Sequence, residues 1–286
     1  MTTSATPAAS PAATQSDNFL LPFQVGETAI RGRIVKLGAA LDQILARHPF
    51  EDPIKVLVGE AAALVAMMGS SLKFDGRLIF QARGDGPVSM LVSDYSAGGA
   101  LRATASIGAD KDFDGQASFS GLMGKGHVAI TVDQGPDMER YQGVTPIEDD
   151  TLGGAAISYF QQSEQIPTAL KLFVGKLAAP GHGEMWRAGG IIAQFVPGAG
   201  GDRERGEAAL RDLDDRDAWD RAAALLETTQ ADELLDPGLA AEDVLYRLYH
   251  EDGVRVFDRS PVAAQCSCTP DRITAVLKQY SKDDLR

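Results

Sequence analysis

Apolar positions in the first two thirds of the chain follow a helical spacing in two segments. Residues 54–68 (IKVLVGEAAALVAMM) form an almost continuous apolar run, which predicts a largely buried helix. Just before it, Leu37, Leu41, Ile44 and Leu45 recur at helical spacing, and this shorter helix is expected to end near His48.

Other segments alternate between apolar and polar residues, which predicts strands. The expected strands cover residues 29–37, 77–83, 87–94, 100–107, 127–133, about 168–177 and about 185–195. The tripeptide Gly84-Asp85-Gly86 separates two of them and is a hairpin signal. A further helix is expected at about 151–164. Clustered strands without regular helical crossovers favour an α+β fold with a mainly antiparallel sheet and helices.

The composition changes after about residue 197. Gly198–Gly206 is a glycine-rich, charged hinge, and a dense acidic helix with few apolar residues follows over residues 206–229. A second amphipathic helix is expected at 241–250, a short strand at 254–258, and a final helix after Thr269. In the helices expected at 206–229 and 241–250, the side opposite the apolar residues is strongly polar. They are therefore expected to fold only by packing on another part of the protein.

Composition narrows the class of protein. The chain has 286 residues, 44% of them hydrophobic, and a formal net charge of −13. This acidity disfavours nucleic acid and anionic membrane surfaces as partners. No apolar stretch is long enough to span a bilayer, and residues 1–17 are predicted to be a disordered tail rather than a secretory signal. A cytoplasmic location is therefore expected.

Cys266 and Cys268 are the sharpest chemical feature and the chain's only cysteines. Two thiolates separated by one residue can share a soft metal ion or oxidise together. A tetrahedral zinc site needs two more ligands, and neither cysteine nor histidine follows in the sequence. Two ordinary buried thiols are the alternative interpretation from the residues alone.

Three other patterns fall short of a catalytic or cation site. Residues 121–126 resemble a phosphate-binding loop only faintly and are interpreted as a flexible loop. Ser163 and Glu164 have no base at a recognisable spacing. The acids Asp212, Asp214, Asp215, Asp217 and Asp220 wrap around a helix rather than converge. The sequence therefore shows no catalytic constellation, and the protein is not expected to be an enzyme.

Six segments, in order, resemble the 33-kDa heat-shock chaperonins, the redox-regulated holdases of bacteria. They are VGEAAALVAMM with SSLKFDGRLIFQARGDGPVSMLVSDY, YFQQSEQIPT, GGIIAQFVPG, LYHEDGVRVF and CSC. The resemblance spans about residues 18–272. It implies an N-terminal α+β chaperone domain at 18–197, a metastable helical linker at 198–258, and a small zinc-binding redox domain from 259 to 286.

The resemblance also implies a mechanism. In the family, four cysteines in a C-x-C…C-x-x-C pattern hold one zinc ion while reduced. Oxidation forms disulfides, expels zinc, unfolds the redox domain and loosens the linker, so that unfolding client proteins are bound without ATP. Dimers are the usual active form.

Cys266 and Cys268 match the first pair of that pattern, and the second pair is expected beyond Arg286. The redox domain is therefore expected to be C-terminally truncated and incomplete. Zinc is expected in the full-length reduced protein, and is expected to be absent from this chain or weakly bound by it.

Two alternatives from other classes stay open. The first is a small-molecule enzyme with a pocket in the α+β domain, whose turnover would not depend on Cys266 and Cys268. The second is an interaction module without a switch, which would bind folded and unfolded partners alike.

Overall fold

The computed structural model describes residues 17–70, 76–108, 118–135, 138, 140–179, 183–196, 213–265, 274, 278 and 280. Twelve strands lie in these ranges. They are β1 (Asn18–Val25), β2 (Ile30–Leu37), β3 (Arg77–Gly84), β4 (Val88–Ser96), β5 (Ala100–Ile107), β6 (Gly126–Asp133), β7 (Tyr141–Pro146), β8 (Thr168–Ala179), β9 (Gly183–Phe195), β10 (Val254–Val256), β11 (Ser260–Pro261) and β12 (Ala263–Ala264).

Helices separate or follow these strands. The described α-helices are α1 (Ala39–Leu45), α2 (Asp52–Gly69), α3 (Phe119–Met123), α4 (Leu152–Tyr159), α5 (Leu213–Glu227), α6 (Ala231–Leu235) and α7 (Ala241–Tyr249). A π-helical turn, Phe160–Glu164, continues α4 and ends at Gln165, which has a positive φ of 54°.

Two six-stranded sheets form the framework of the described residues. The first sheet has the order β10-β1-β2-β9-β8, with β11 also paired to β1. The second sheet has the order β12-β5-β4-β3-β6-β7. The recorded pairings are antiparallel except that between β12 and β5.

The main core lies between the two sheets, where α2 packs against strands of both. The middle of α2 is rich in alanine, and Ala61, Ala62, Ala63 and Ala66 are fully buried. Small side chains allow a helix to be covered on several sides at once, which explains why this segment is apolar all round rather than along one stripe.

The expected α+β class with mainly antiparallel sheets is confirmed. The sequence pattern predicts no strand at β1 or β7, because Pro22 interrupts the first and the second is largely polar. The loop interpretation of residues 121–126 is wrong in part, since α3 extends to Met123 and Ser118 caps its start by accepting a hydrogen bond from the Gly121 amide.

The chain after α7 returns to both sheets. Strands β10 and β11 pair with β1, and β12 then pairs with β5 in the second sheet. Strands from the predicted linker and redox domain thus complete the edges of both sheets. The three-domain division stays a prediction. Cys266, Cys268 and the helix expected after Thr269 lie outside the described residues, except for isolated positions of that helix.

Glu60 is an acid in the middle of the buried helix α2 and forms no hydrogen bond or ion pair within the described residues. Burial raises the pKa of its carboxyl group to about 7. The native state therefore favours the protonated acid, and stability is present below the ordinary carboxyl pKa and lost as the pH rises through about 7.

We predict that Glu60→Gln removes this pH dependence. Between pH 5.5 and 8, the variant should gain about 2 kcal/mol of unfolding free energy relative to the wild type. Urea unfolding followed by circular dichroism at both pH values measures the effect. The exposed neighbour Glu51→Gln is the control, and parallel curves for Glu60→Gln and the wild type would contradict the prediction.

Candidate functional site

The outer face of the first sheet, turned away from α2, is apolar. We call this surface the docking face. It consists of Phe19, Leu21, Phe23, Val25, Ile30, Ile34, Ala169, Ile191, Ala193 and Phe195, all of them buried. Alternation along each strand explains the surface, since successive side chains of β1 point in turn to the docking face and to the main core.

Helices α5, α6 and α7, which we call the linker helices, cover the docking face. Their buried contacts come from Trp219, Ala222, Leu226, Leu234, Ala241, Val244, Leu245, Leu248 and Tyr249. In α7 these residues recur at helical spacing, whereas Tyr246 on the same helix is largely exposed. The linker helices and the sheet thus share a second apolar core, separate from the one around α2.

An aromatic contact anchors one end of this second core. The rings of Phe23 and Tyr249 stack with their centroids 5.8 Å apart. The Tyr249 hydroxyl donates a hydrogen bond to the Ala222 carbonyl at 3.3 Å, so it also joins α7 to α5. Burial raises the pKa of this phenol, which keeps it a neutral donor.

Two buried cations hold the other end. Lys36 Nζ donates to the carbonyl oxygens of Asp236 at 2.8 Å and Leu239 at 2.6 Å. Arg187 Nε donates to the Leu235 carbonyl at 2.6 Å. These carbonyls lie at and just beyond the C-terminal end of α6, where a helix leaves acceptors unsatisfied and favours positive charge.

Both cations are inaccessible to solvent, since Lys36 is 2% exposed and Arg187 is 5% exposed. The remaining guanidinium nitrogens of Arg187 bind the carboxylate of Asp17. Because buried charges need compensating hydrogen bonds, the docked linker satisfies both groups. We call Lys36 and Arg187 together with these carbonyls the polar latch.

Glycines let α6 approach the sheet next to the polar latch. A Cβ atom added at Gly189 would lie 2.6 Å from Leu234 Cβ and 2.8 Å from the Leu234 carbonyl oxygen. At Gly175 the nearest atom would be Leu235 Cδ1 at 3.2 Å, the end of a side chain that can move. Gly189 therefore determines how closely α6 packs on the sheet, whereas an added side-chain atom is tolerated better at Gly175.

The rim of the interface carries ion pairs. Lys171 of β8 meets Glu227 of α5 at 2.8 Å, and Arg259 binds the carboxylate of Glu242 on α7. Exposed pairs of this kind contribute little each. The strength of docking therefore depends on the apolar contact and on the polar latch.

The predicted site residues Cys266 and Cys268 lie outside the described residues, so the structure places neither of them. Ser163 and Glu164 lie in the π-helical turn, where Glu164 accepts a hydrogen bond from the Tyr159 hydroxyl at 3.2 Å. In the described part of the chain, no group of three or more His, Cys, Asp or Glu side chains could hold a metal ion. No helix there is long and apolar enough to cross a membrane.

Sequence reasoning missed Lys36 and Arg187. A signal existed for Lys36, because it occupies a docking-face position two residues after Ile34, between the apolar residues Val35 and Leu37. A lysine in the apolar phase of a strand needs a partner. The partners are backbone carbonyls about 200 residues away in the chain, which no local pattern indicates.

Comparison with known proteins agrees with this architecture. The family model described as Hsp33 protein matches residues 18–286. A 33 kDa chaperonin of Caulobacter vibrioides is 46% identical over 274 residues, covering 94% of this chain and 87% of the relative. A 33 kDa chaperonin of Shewanella loihica is 36% identical over 271 residues, covering 94% of this chain and 85% of the relative.

A solved structure shows the same fold. The crystal structure of a 33 kDa chaperonin from Thermotoga maritima superposes with a TM-score of 0.74 at 19% identity, covering 94% of this chain and 87% of that one. The covered apolar face and these relatives define a chaperone. The chain belongs to the Hsp33 family.

We predict that Gly189→Ala weakens docking of the linker helices by about 1–3 kcal/mol, because the added methyl group collides with the backbone and Cβ of Leu234. Trp219 is buried in the docked state, so its fluorescence emission should shift to longer wavelength at lower urea concentration than in the wild type. Gly175→Ala is the matched control, with a smaller shift. Equal shifts in both variants would contradict the assigned role of Gly189.

Proposed function

We propose that this protein is an ATP-independent holdase that binds unfolding proteins on the docking face and is controlled by undocking of the linker helices. The observation that carries the proposal is an apolar sheet face covered by short helices that are apolar on the side facing the sheet and carry charged residues on the other side. Such a cover is easily removed, and the surface beneath it binds unfolded chains without sequence preference.

The linker helices are suited to reversible docking. Helix α5 has acidic residues through its first turns and buries Trp219, Ala222 and Leu226 on one side only. Helix α6 has five residues and α7 has nine, lengths that are unstable as isolated helices in water. Their structure therefore depends on the docking face, and loss of docking melts the cover as well as removing it.

Redox control by Cys266 and Cys268 is part of the proposal. Two thiolates suit zinc chemically, but they supply two of the four ligands that a structural zinc site needs. When bound, zinc would fold the segment that holds it. We therefore propose Cys266 and Cys268 as zinc ligands and as the redox-active pair, and derive no further step through the metal.

A short covalent path joins these cysteines to both sheets. The amide of Gln265, next to Cys266, donates to the Leu101 carbonyl at 3.0 Å on β5, and the Val262 amide donates to the Asn18 carbonyl at 3.0 Å on β1. Arg259, a few residues earlier, binds Glu242 on α7. A structural change in the cysteine-bearing segment can therefore disturb the pairing of strands that border the docking face.

The remaining features follow from the same proposal. Clients are unfolded or partly unfolded proteins, and the net charge of −13 keeps a loaded complex soluble and disfavours nucleic acid and membrane partners. A homodimer in the bacterial cytoplasm is proposed as the active form, by similarity to the family. Binding alone accounts for the function, so the proposal includes no enzymatic activity.

The enzyme alternative gains no support from the cavities of the α+β domain. A cavity of about 430 Å³ opens between α1 and strands β4 and β5. Its one carboxylate among the described lining residues, Asp94, is bound by Arg102 at 2.5 Å. The described lining residues therefore include no pair of carboxylates for acid–base catalysis.

We predict that Leu245→Asp, which places a charge in the second core, undocks the linker helices and lets the reduced protein suppress aggregation of a chemically unfolded client. Light scattering should fall by at least half at a molar ratio at which the reduced wild type has little effect. Tyr246→Asp is the matched control on the exposed side of α7 and should behave as the wild type does.

A second substitution tests where the client binds. Phe173 lies on β8 at the border of the docking face, so adding Phe173→Glu to Leu245→Asp should restore much of the light scattering. If the double variant protects clients as well as Leu245→Asp alone, the docking face is not the client-binding surface.

Redox control predicts that peroxide-treated and dithiol-reduced protein differ in how well they suppress aggregation of a client. The oxidised chain should protect the client better, and Cys266→Ser combined with Cys268→Ser should abolish the difference. Protection that is equal in both redox states of the wild type would contradict this part of the proposal and leave the docking-face assignment intact.

A further inference from the structure

The ammonium group of Lys36 is less compensated than the guanidinium group of Arg187, the other buried cation of the polar latch. The two hydrogen bonds of Lys36 go to neutral backbone carbonyls, those of Asp236 and Leu239. The other buried cation, Arg187, binds a carboxylate as well as a carbonyl. Within the described part of the chain, Lys36 therefore enters the docked state without an ion pair.

Charged groups from every neighbouring element surround Lys36. They are Asp17 before β1, Arg187 on β9, Asp236 after α6, Glu242 on α7 and Arg259 after β10. Asp17 is bound by Arg187 and Glu242 by Arg259, so these four groups compensate one another. The carboxylate of Asp236 accepts a hydrogen bond from the Gly238 amide at 2.7 Å, and its attraction for Lys36 offsets only part of the effect of burial on the pKa of that lysine.

Undocking would return Lys36 to water. It lies on the docking face in register with Phe19 of β1 and Gly189 of β9, and the atoms that contact its ammonium group belong to the segment after α6. Burial under the linker, followed by repulsion from Arg187, lowers the pKa of Lys36 to about 8. The ordinary value of about 10.5 should apply once the linker has left.

We propose that Lys36 is a positioning residue through which linker docking senses pH, with a protonated Lys36 favouring the undocked, client-binding state. The sign follows from the direction of the shift. Because the docked state holds the proton less tightly, docking is strongest above about pH 10.5 and weakens as the pH falls to about 8. A neutral amine still donates both hydrogen bonds, so the polar latch survives deprotonation. This inference relies on the proposed function only in linking undocking to client binding.

Docking can be measured without a client. Trp219 reports it, and Trp186→Phe should be the background, because Trp186 contacts Lys55 and Lys176 rather than the linker helices and its emission would overlap that of Trp219. In that background, the docking equilibrium constant, obtained from the urea dependence of Trp219 emission, should rise roughly 20-fold between pH 7.5 and 9.5.

Two variants separate this role from a merely structural one. Lys36→Met removes the titrating group and should abolish the pH dependence, whatever its effect on docking at a single pH. Lys55→Met, a partly buried lysine on α2 outside the interface, should keep it. An unchanged pH dependence in Lys36→Met, or a wild type without one, would overturn the proposal.

A direct titration covers the case in which Lys36→Met does not fold. The 13Cε resonance of Lys36 in the wild type should titrate near pH 8, and titration near 10.5 in the docked protein would overturn the proposal. If docking follows Lys36 but client protection is the same at pH 7.5 and 9.5, the pH coupling stands and the proposed function fails.

Discussion

The contact between the docking face and the linker helices determines how the rest of this molecule can behave. The sheet face contributes large apolar side chains such as Phe19, Phe23 and Ile191, which could not remain in water without a cover. The cover is short, acidic and apolar along one side only. The sheet face attracts apolar side chains strongly, whereas the linker helices are unstable on their own. The interface between them is therefore stable when closed but opens at moderate cost in free energy.

The polar latch adds specificity to this contact. Apolar surfaces alone would allow the linker helices to slide, whereas Lys36 and Arg187 accept only a register that brings three carbonyls to their donors. Gly189 enforces the same register sterically, because it allows Leu234 to approach the strand. The polar latch and Gly189 therefore set the register of docking in addition to their contribution to its strength.

Much of the fold could be predicted from the sequence, because it depends on local periodicity. The buried helix α2 and the strands β2 to β6 follow directly from apolar spacing. Strand β1 could not be predicted in this way, because Pro22 interrupts its pattern, and two of its three partner strands, β10 and β11, lie more than 200 residues later. Among the functional features, the one-sided apolar pattern of the linker helices indicated that they dock on another part of the protein. Which sheet face they cover follows only from the strand register. The polar latch joins residues distant in the chain and could be found only in the tertiary structure.

The linker segment is attached to the first sheet at both of its ends. The segment leaves the first sheet at Phe195 of β9 and rejoins it at Val254 of β10, so the linker helices remain tethered on both sides when they undock. Tethering holds them at a high effective concentration over the docking face. Under the proposed function, a bound client therefore competes at all times with an intramolecular ligand, and its displacement when conditions again favour the closed state needs no energy-consuming release step.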